Sequence, residues 1–394
     1  SFSPASPGAS PASAASPASA ATDVLDANLV VFLHRFFVGR LSDYPSLQGS
    51  LEALLALAQL GGALAPAGGA EAVLAGLGAL HVPQMTVELR LLCHKLFRAA
   101  AAEDAGFLGA LDMEREIEMR RSAAAATDSK CNGVVRQFCD MMDGESDPRC
   151  LKVCFLTGKK LVHAFEPALT AATLERVFEV TECYVPIEFS PPPNDTRGVT
   201  QEDLVGGLRG IFTASPRFAD DVLDMVQDRL EPEDSSTTVK CDVLLTLALA
   251  LPAYCAGEDV RSTEEWMAKR MQRVLQLVID CALGGGEDSI VEAALAVVHA
   301  LAGQITVCPT VTPYFRGCLT VFVQEAIGDA ETFRASLSVR ALVAIASASS
   351  YAFECTMRSF FPAAKARFLA TNLPERKDAL IQHVAVLLST MDPD

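Results

Sequence analysis

MAKRMQRVLQLVIDCALGGGEDSIVEAALAVVHALAG, residues 267–303, holds two helical patterns joined by a turn. Met267, Met271, Val274, Leu275, Val278, Cys281 and Ala282 recur at three- and four-residue steps, which places them on one face of a helix. Gly284-Gly285-Gly286 ends that stripe, because glycine takes the left-handed cap conformation without penalty. Ser289, with Glu292 three residues on, is the expected N-cap of a partner helix running through Leu295, Val298 and Leu301 to Gly303. The unit is a helical hairpin.

The same unit recurs in both directions. Toward the C-terminus the pairs are Tyr314–Ile327 with Phe333–Ser347, and Ala364–Leu373 with Ala379–Leu388. Toward the N-terminus Leu29, Phe32, Leu33, Phe36 and Phe37 recur at helical spacing, residues 39–45 break the run, and Leu51, Leu54, Leu55 and Leu57 resume it. A Gly, Ala and Pro loop over 61–69 precedes helical stretches at 72–80 and 86–101 and a charged one around Glu114–Arg121. Hairpins spaced roughly 40 residues apart, with no identical motif between them, predict an all-α HEAT-type α-solenoid, an armadillo-like superhelix. An irregular helical globule is the alternative; it is disfavoured because no segment reads as apolar on all sides over several turns. Residues 1–22 are almost wholly Ser, Ala and Pro and predict a disordered tail. The expected division is 1–22 tail, 23–230 first helical domain and 231–394 further repeats.

Composition narrows the function. Hydrophobic residues make up 50% of the 394 and aromatics only 7%, which suits helices packed through Ala and Leu and argues against a base-stacking nucleic-acid binder. With 32 Lys and Arg against 49 Asp and Glu, the net charge is −17, so a phosphate backbone would be repelled and direct nucleic-acid binding is not expected. Twelve cysteines sit mostly inside apolar runs, as reduced structural cysteines do in a reducing compartment. The charge-free run from Ala293 to Phe315 could span a bilayer by length, but Gly303, Gln304, Pro309 and Pro313 divide it, so no membrane association is expected.

Catalytic and metal-binding patterns are weak. No Walker loop, GxGxxG, GxSxG or HExxH occurs, and Gly284–Gly286 precede acidic Glu287 and Asp288, which would repel phosphate. Cys139, Cys150, Cys154 and His163 would complete four metal ligands, yet Cys150 and Cys154 lie in an ordinary apolar face with Leu151, Val153 and Phe155. Cys93 and His94 point about 100° apart on a helix and make a poor thiolate–base pair. Neither a catalytic residue nor a metal or cofactor is expected. Asp221, Asp224 and Asp228 form an acidic stripe, read as a solvated face before a docking face.

Four ordered blocks resemble one family. They are FFVGRLSD at 36–43, HVPQ at 81–84, MDGESDPR at 142–149, and the stretch from Phe178 to Phe218 with Cys183-Tyr184, Pro186-Ile187, Phe189 and Pro191-Pro192-Pro193-Asn194-Asp195. This pattern resembles the N-terminal region of the methyl methanesulfonate sensitivity nineteen family, whose members run much longer than this chain. Independently of that likeness, Asp147-Pro148 reads as an N-cap with Pro at the first helical position, Thr200 with Asp203 as a capping box, and the proline run as a stiff extended loop.

The resemblance implies a non-catalytic adaptor of cytosolic iron-sulfur protein assembly, cytoplasmic and nuclear, which brings client apoproteins, including DNA replication and repair enzymes, to the cluster donor. It implies partners of the DUF59 and WD40-propeller types. The expected contact residues are Tyr184, Pro186, Phe189, Pro191, Pro192, Pro193, Asn194 and Asp195, with Asp143, Asp147 and Arg149, and the concave solenoid face. A HEAT-repeat adaptor for nuclear transport or trafficking is the competing reading.

Overall fold

The computed structural model describes residues 26–59, 68–103, 107, 109, 111–122, 129–191, 198–232, 234–256, 264–284, 286–329 and 332–390. The N-terminal tail, most of the 61–69 loop, Gly285 and Pro192–Asp195 lie outside the described residues, as does the side chain of Met267. Among the described residues there are 17 α-helices and no strand. They are α1 (Ala27–Arg40), α2 (Leu47–Gln59), α3 (Gly69–Gly78), α4 (Val87–Arg98), α5 (Met113–Arg121) and α6 (Lys130–Met142). Next come α7 (Pro148–Phe165), α8 (Ala171–Glu182), α9 (Gln201–Phe212), α10 (Ala219–Leu230), α11 (Thr237–Cys255) and α12 (Glu264–Leu283). The last are α13 (Asp288–Gln304), α14 (Thr312–Gly328), α15 (Phe333–Ala346), α16 (Ser350–Ala370) and α17 (Pro374–Leu388).

The helices form two layers. In one, α2, α4, α7, α9, α11, α13, α15 and α17 each pack on the next; in the other, α6, α8, α10, α12, α14 and α16 do the same, and α1 packs on α3. Within pairs, α10 meets α11, α12 meets α13 and α14 meets α15, while Phe178 of α8 reaches Phe212 of α9 with ring centroids 5.4 Å apart. This laddering of antiparallel pairs is an all-α HEAT-type solenoid. The first helices of the pairs begin at Ala27, Gly69, Lys130, Ala171, Ala219, Glu264, Thr312 and Ser350, steps of roughly 40–50 residues except where α5 is inserted. One core cluster runs from Leu41 to Leu387 and crosses the expected 230/231 division.

Local chemistry sets the helix starts. Asp147 accepts amide hydrogen bonds from Arg149 and Cys150 with Pro148 at the first helical position, and Thr200 and Asp203 form a reciprocal capping box. Ser289, in contrast, is not a cap: α13 begins a residue earlier, behind Glu287, and makes no side-chain cap bond.

Two readings of periodicity change. The Phe32 and Phe36 side of α1 faces outward, the rings 6.3 Å apart, while His34 is buried; among the described residues α1 packs chiefly on α2 and α3. Helix α11 is apolar around its circumference, with Val243, Leu244, Leu247 and Leu251 buried and Leu249 56% exposed. It is the one helix among the described residues long and apolar enough to cross a membrane, and here it packs between α9 and α13.

Candidate functional site

The MDGESDPR turn connects α6 to α7. Gly144 takes φ 73°, the left-handed conformation that favours glycine, and the chain reverses so that Glu145 points into the protein with a side chain 1% exposed. Arg90 of α4 meets it through two parallel bonds, Nε to Oε2 at 2.8 Å and Nη2 to Oε1 at 2.9 Å, and its Nη1 donates to the Met85 carbonyl at 2.9 Å. The amides of Ser146 and Asp147 also donate to Oε1, each at 2.9 Å.

Burial by itself would raise the Glu145 carboxyl, but His94, Arg90 and the amides of Asp147 and Ser146 outweigh it and hold the group well below the usual carboxylate range. Of the two side chains, Arg90 has the hydrogen-bond geometry; His94 Nε2 stands 3.5 Å from Oε2, at the outer limit.

The second block closes over the first. Tyr184 donates from its hydroxyl to the Glu145 carbonyl at 2.8 Å, and its ring meets Phe155 edge-on at 5.7 Å. Beyond Tyr184 the cis Val185–Pro186 bond leads into a segment held by its backbone. Arg229 donates to the Val185 carbonyl at 3.3 Å and Gln201 to the Ile187 carbonyl at 2.9 Å. Phe189 is half-buried against the core and Pro191 is exposed. Segments 142–149 and 184–191, separate in sequence, are thus one junction.

The expected contact residues divide by location. Asp143 is exposed and paired with Arg176 at 2.8 Å; Asp147 is engaged as the α7 cap, and Arg149 pairs with it at 3.0 Å. Tyr184 faces inward; Pro186 and Phe189 are half-buried; Pro191 is exposed. Pro192, Pro193, Asn194 and Asp195 lie outside the described residues. Sequence reasoning missed Arg90, His94 and Glu145; the available signal was Arg90 and His94 four residues apart on one helix face.

Among the described residues, one grouping of metal-binding types has its ligand atoms within 4.8 Å of one another: His94, Glu145 and Cys150. The donor set does not fit a metal ion. Both Glu145 oxygens already accept from Arg90, whose positive charge would oppose a cation. The Cys150 thiol is pushed up to about 12 by burial and by the nearby Glu145 and Asp147 charges, so thiolate is disfavoured. Cys139 and Cys154 are buried in the core, and His163 is on the surface.

A two-layer ladder of helical hairpins defines a HEAT-type helical-repeat protein. The chain belongs to the MMS19 N-terminal family, described as Dos2-interacting transcription regulator of RNA-Pol-II, whose model matches residues 16–276. It is 39% identical over 121 residues to an MMS19 nucleotide excision repair protein homolog of Danio rerio, covering 31% of this chain and 11% of that one. It is 32% identical over 171 residues to the homolog of Homo sapiens, covering 43% and 15%. Against the DNA repair/transcription protein of the MMS19 type from Saccharomyces cerevisiae it is 36% identical over 113 residues, covering 29% and 11%. The matched stretches are therefore a small part of those relatives' lengths.

Proposed function

We propose that this chain is a non-catalytic adaptor segment in a DNA repair and transcription context, serving cytosolic iron-sulfur protein assembly by holding client apoproteins for cluster delivery. Family membership over residues 16–276 supports the repair context, and the relatives' names support a nuclear location. The cytoplasmic location and the DUF59-type and WD40-propeller partners follow from the assembly role.

The observation that carries the reading is the junction around Glu145. Two stretches that resemble the family are spent on fixing the course of one surface segment, Val185–Pro191, through Tyr184, Arg229 and Gln201. A stiff, pre-set segment binds a partner with little loss of conformational freedom. The test is affinity capture from cell extract with the full chain against a variant whose residues 191–195 are Gly and Ser, read by mass spectrometry. Iron-sulfur apoproteins and assembly factors should be enriched and lost in the variant. Enrichment of nuclear transport or trafficking factors in their place would overturn the reading.

A further inference from the structure

Helices α2, α4 and α7 bound an open groove of about 590 Å³ on the layer they share. Its floor is apolar, from Leu55, Leu92, Ala99 and Val153, and its rim carries Lys95 and Arg98. One turn along α7 from Val153, Leu156 is 37% exposed, and Lys160 is exposed on the same side of the helix, whereas Lys159 lies along Gly210 of α9. The one acidic residue lining the groove, Glu103, is already engaged by Arg98 at 2.6 Å and Lys160 at 2.9 Å. Lys95 has no ion-pair partner among the described residues, so three cations at the groove, Lys95, Arg98 and Lys160, stand against one carboxylate.

That charge pattern runs against the whole chain, which carries 49 acidic against 32 basic residues. A protein of net charge −17 repels acidic partners everywhere except where cations gather, so a local cationic rim selects by sign as well as by contact. An apolar floor has no use for a phosphate backbone but accepts aliphatic side chains spaced along one face of a helix. We propose that the α2–α4–α7 groove is a docking site for an acidic amphipathic peptide, its aliphatic face on Leu55, Leu92 and Val153 and its carboxylates toward Lys95, Arg98 and Lys160. The site is separate from the Tyr184 segment, so it holds or fails independently of the iron-sulfur reading.

The test uses the full chain and a fluorescein-labelled helical peptide with Leu on one face and Glu on the others, followed by fluorescence anisotropy. Its Lys-for-Glu counterpart and a labelled single-stranded oligonucleotide are measured in parallel. Saturable binding of the acidic peptide is expected, weakened by salt and by at least about tenfold in Lys95→Glu with Lys160→Glu. Both lysines are exposed surface positions, and unchanged helical circular dichroism and melting confirm the variant's fold. Leu156→Asp, a second surface change, should weaken the same peptide. Absence of saturable binding, binding that ignores all three substitutions, equal binding of the basic peptide, or displacement of the acidic peptide by the oligonucleotide overturns the proposal.

Discussion

Arg90 and Glu145, 55 residues apart in sequence, form a two-bond ion pair inside the protein that ties α4 to the turn entering α7. Removing one partner strands the other charge. Arg90→Ala should destabilise the fold by about 3–5 kcal/mol, because the Glu145 carboxylate then lies buried with only backbone amides and His94, 3.5 Å away, beside it. Arg90→Met with Glu145→Gln should cost much less, since no unpaired charge remains. Urea denaturation of the two variants checks this ordering, and equal losses would show that the pair is not the source.

Adjacent glycines in α9 should respond to alanine in opposite directions. A Cβ on Gly207 would lie 2.9 Å from Phe155 Cβ, an atom fixed to the α7 backbone, so Gly207→Ala forces the two helices apart at a cost of about 1–3 kcal/mol. A Cβ on Gly206 meets nothing within 4 Å, and alanine there should stabilise the helix by about 0.5–1 kcal/mol through its better propensity. Thermal melts of the two single variants give the two signs directly.

Two carboxyls set opposing pH dependences. Burial, with the neighbouring Asp221 charge added and Arg270 opposing, pushes the Asp220 carboxyl up to about 6. The folded chain thus keeps a proton that the unfolded chain releases near ~3.9, and this contribution to stability falls as pH rises through that window. Asp220→Asn should add about 1 kcal/mol at pH 7, after discount for partial exposure, and flatten the slope between pH 4 and 6. Glu145 is depressed, so its contribution is present above the ordinary carboxylate value of ~4.3 and is lost as pH falls below it. Denaturation midpoints for the wild type, Asp220→Asn and Glu145→Gln from pH 3 to 7 should separate the two.

The repeat architecture was legible because each hairpin announces itself locally. The stripes at 314–327 and 333–347 fall within a residue or two of α14 and α15. Helix α16 was legible only at its end: a helix was expected over Ala364–Leu373, whereas α16 begins at Ser350 and runs through Pro362 to Ala370. Pro362 is exposed while Phe360 and Ala364 are buried, so the carbonyl it orphans can turn to water while the inner face stays packed. The Glu145 junction was legible only in pieces. Its caps at Asp147 and Thr200 are short-range chemistry, whereas the Arg90, Glu145 and Tyr184 contacts join residues 39 and 55 positions apart, and a single sequence does not encode such pairings in any local pattern.

Tyr184 separates positioning from contact. Its hydroxyl bond to the Glu145 carbonyl is 2.8 Å long, while its ring faces Phe155 rather than solvent, so its effect on a partner must pass through the segment it anchors. Tyr184→Phe keeps the ring and deletes the bond, and should cost about 1 kcal/mol in stability. If the segment works by being held still, backbone amide exchange at Ile187 and Phe189 should rise in Tyr184→Phe and captured partner should fall, with the far α14–α15 pair unchanged in exchange. If the side chains of the segment act without that restraint, exchange rises and capture does not. The pairing of the two readouts on one conservative substitution distinguishes a structural tether from a binding residue, which neither a stability measurement nor a capture experiment does alone.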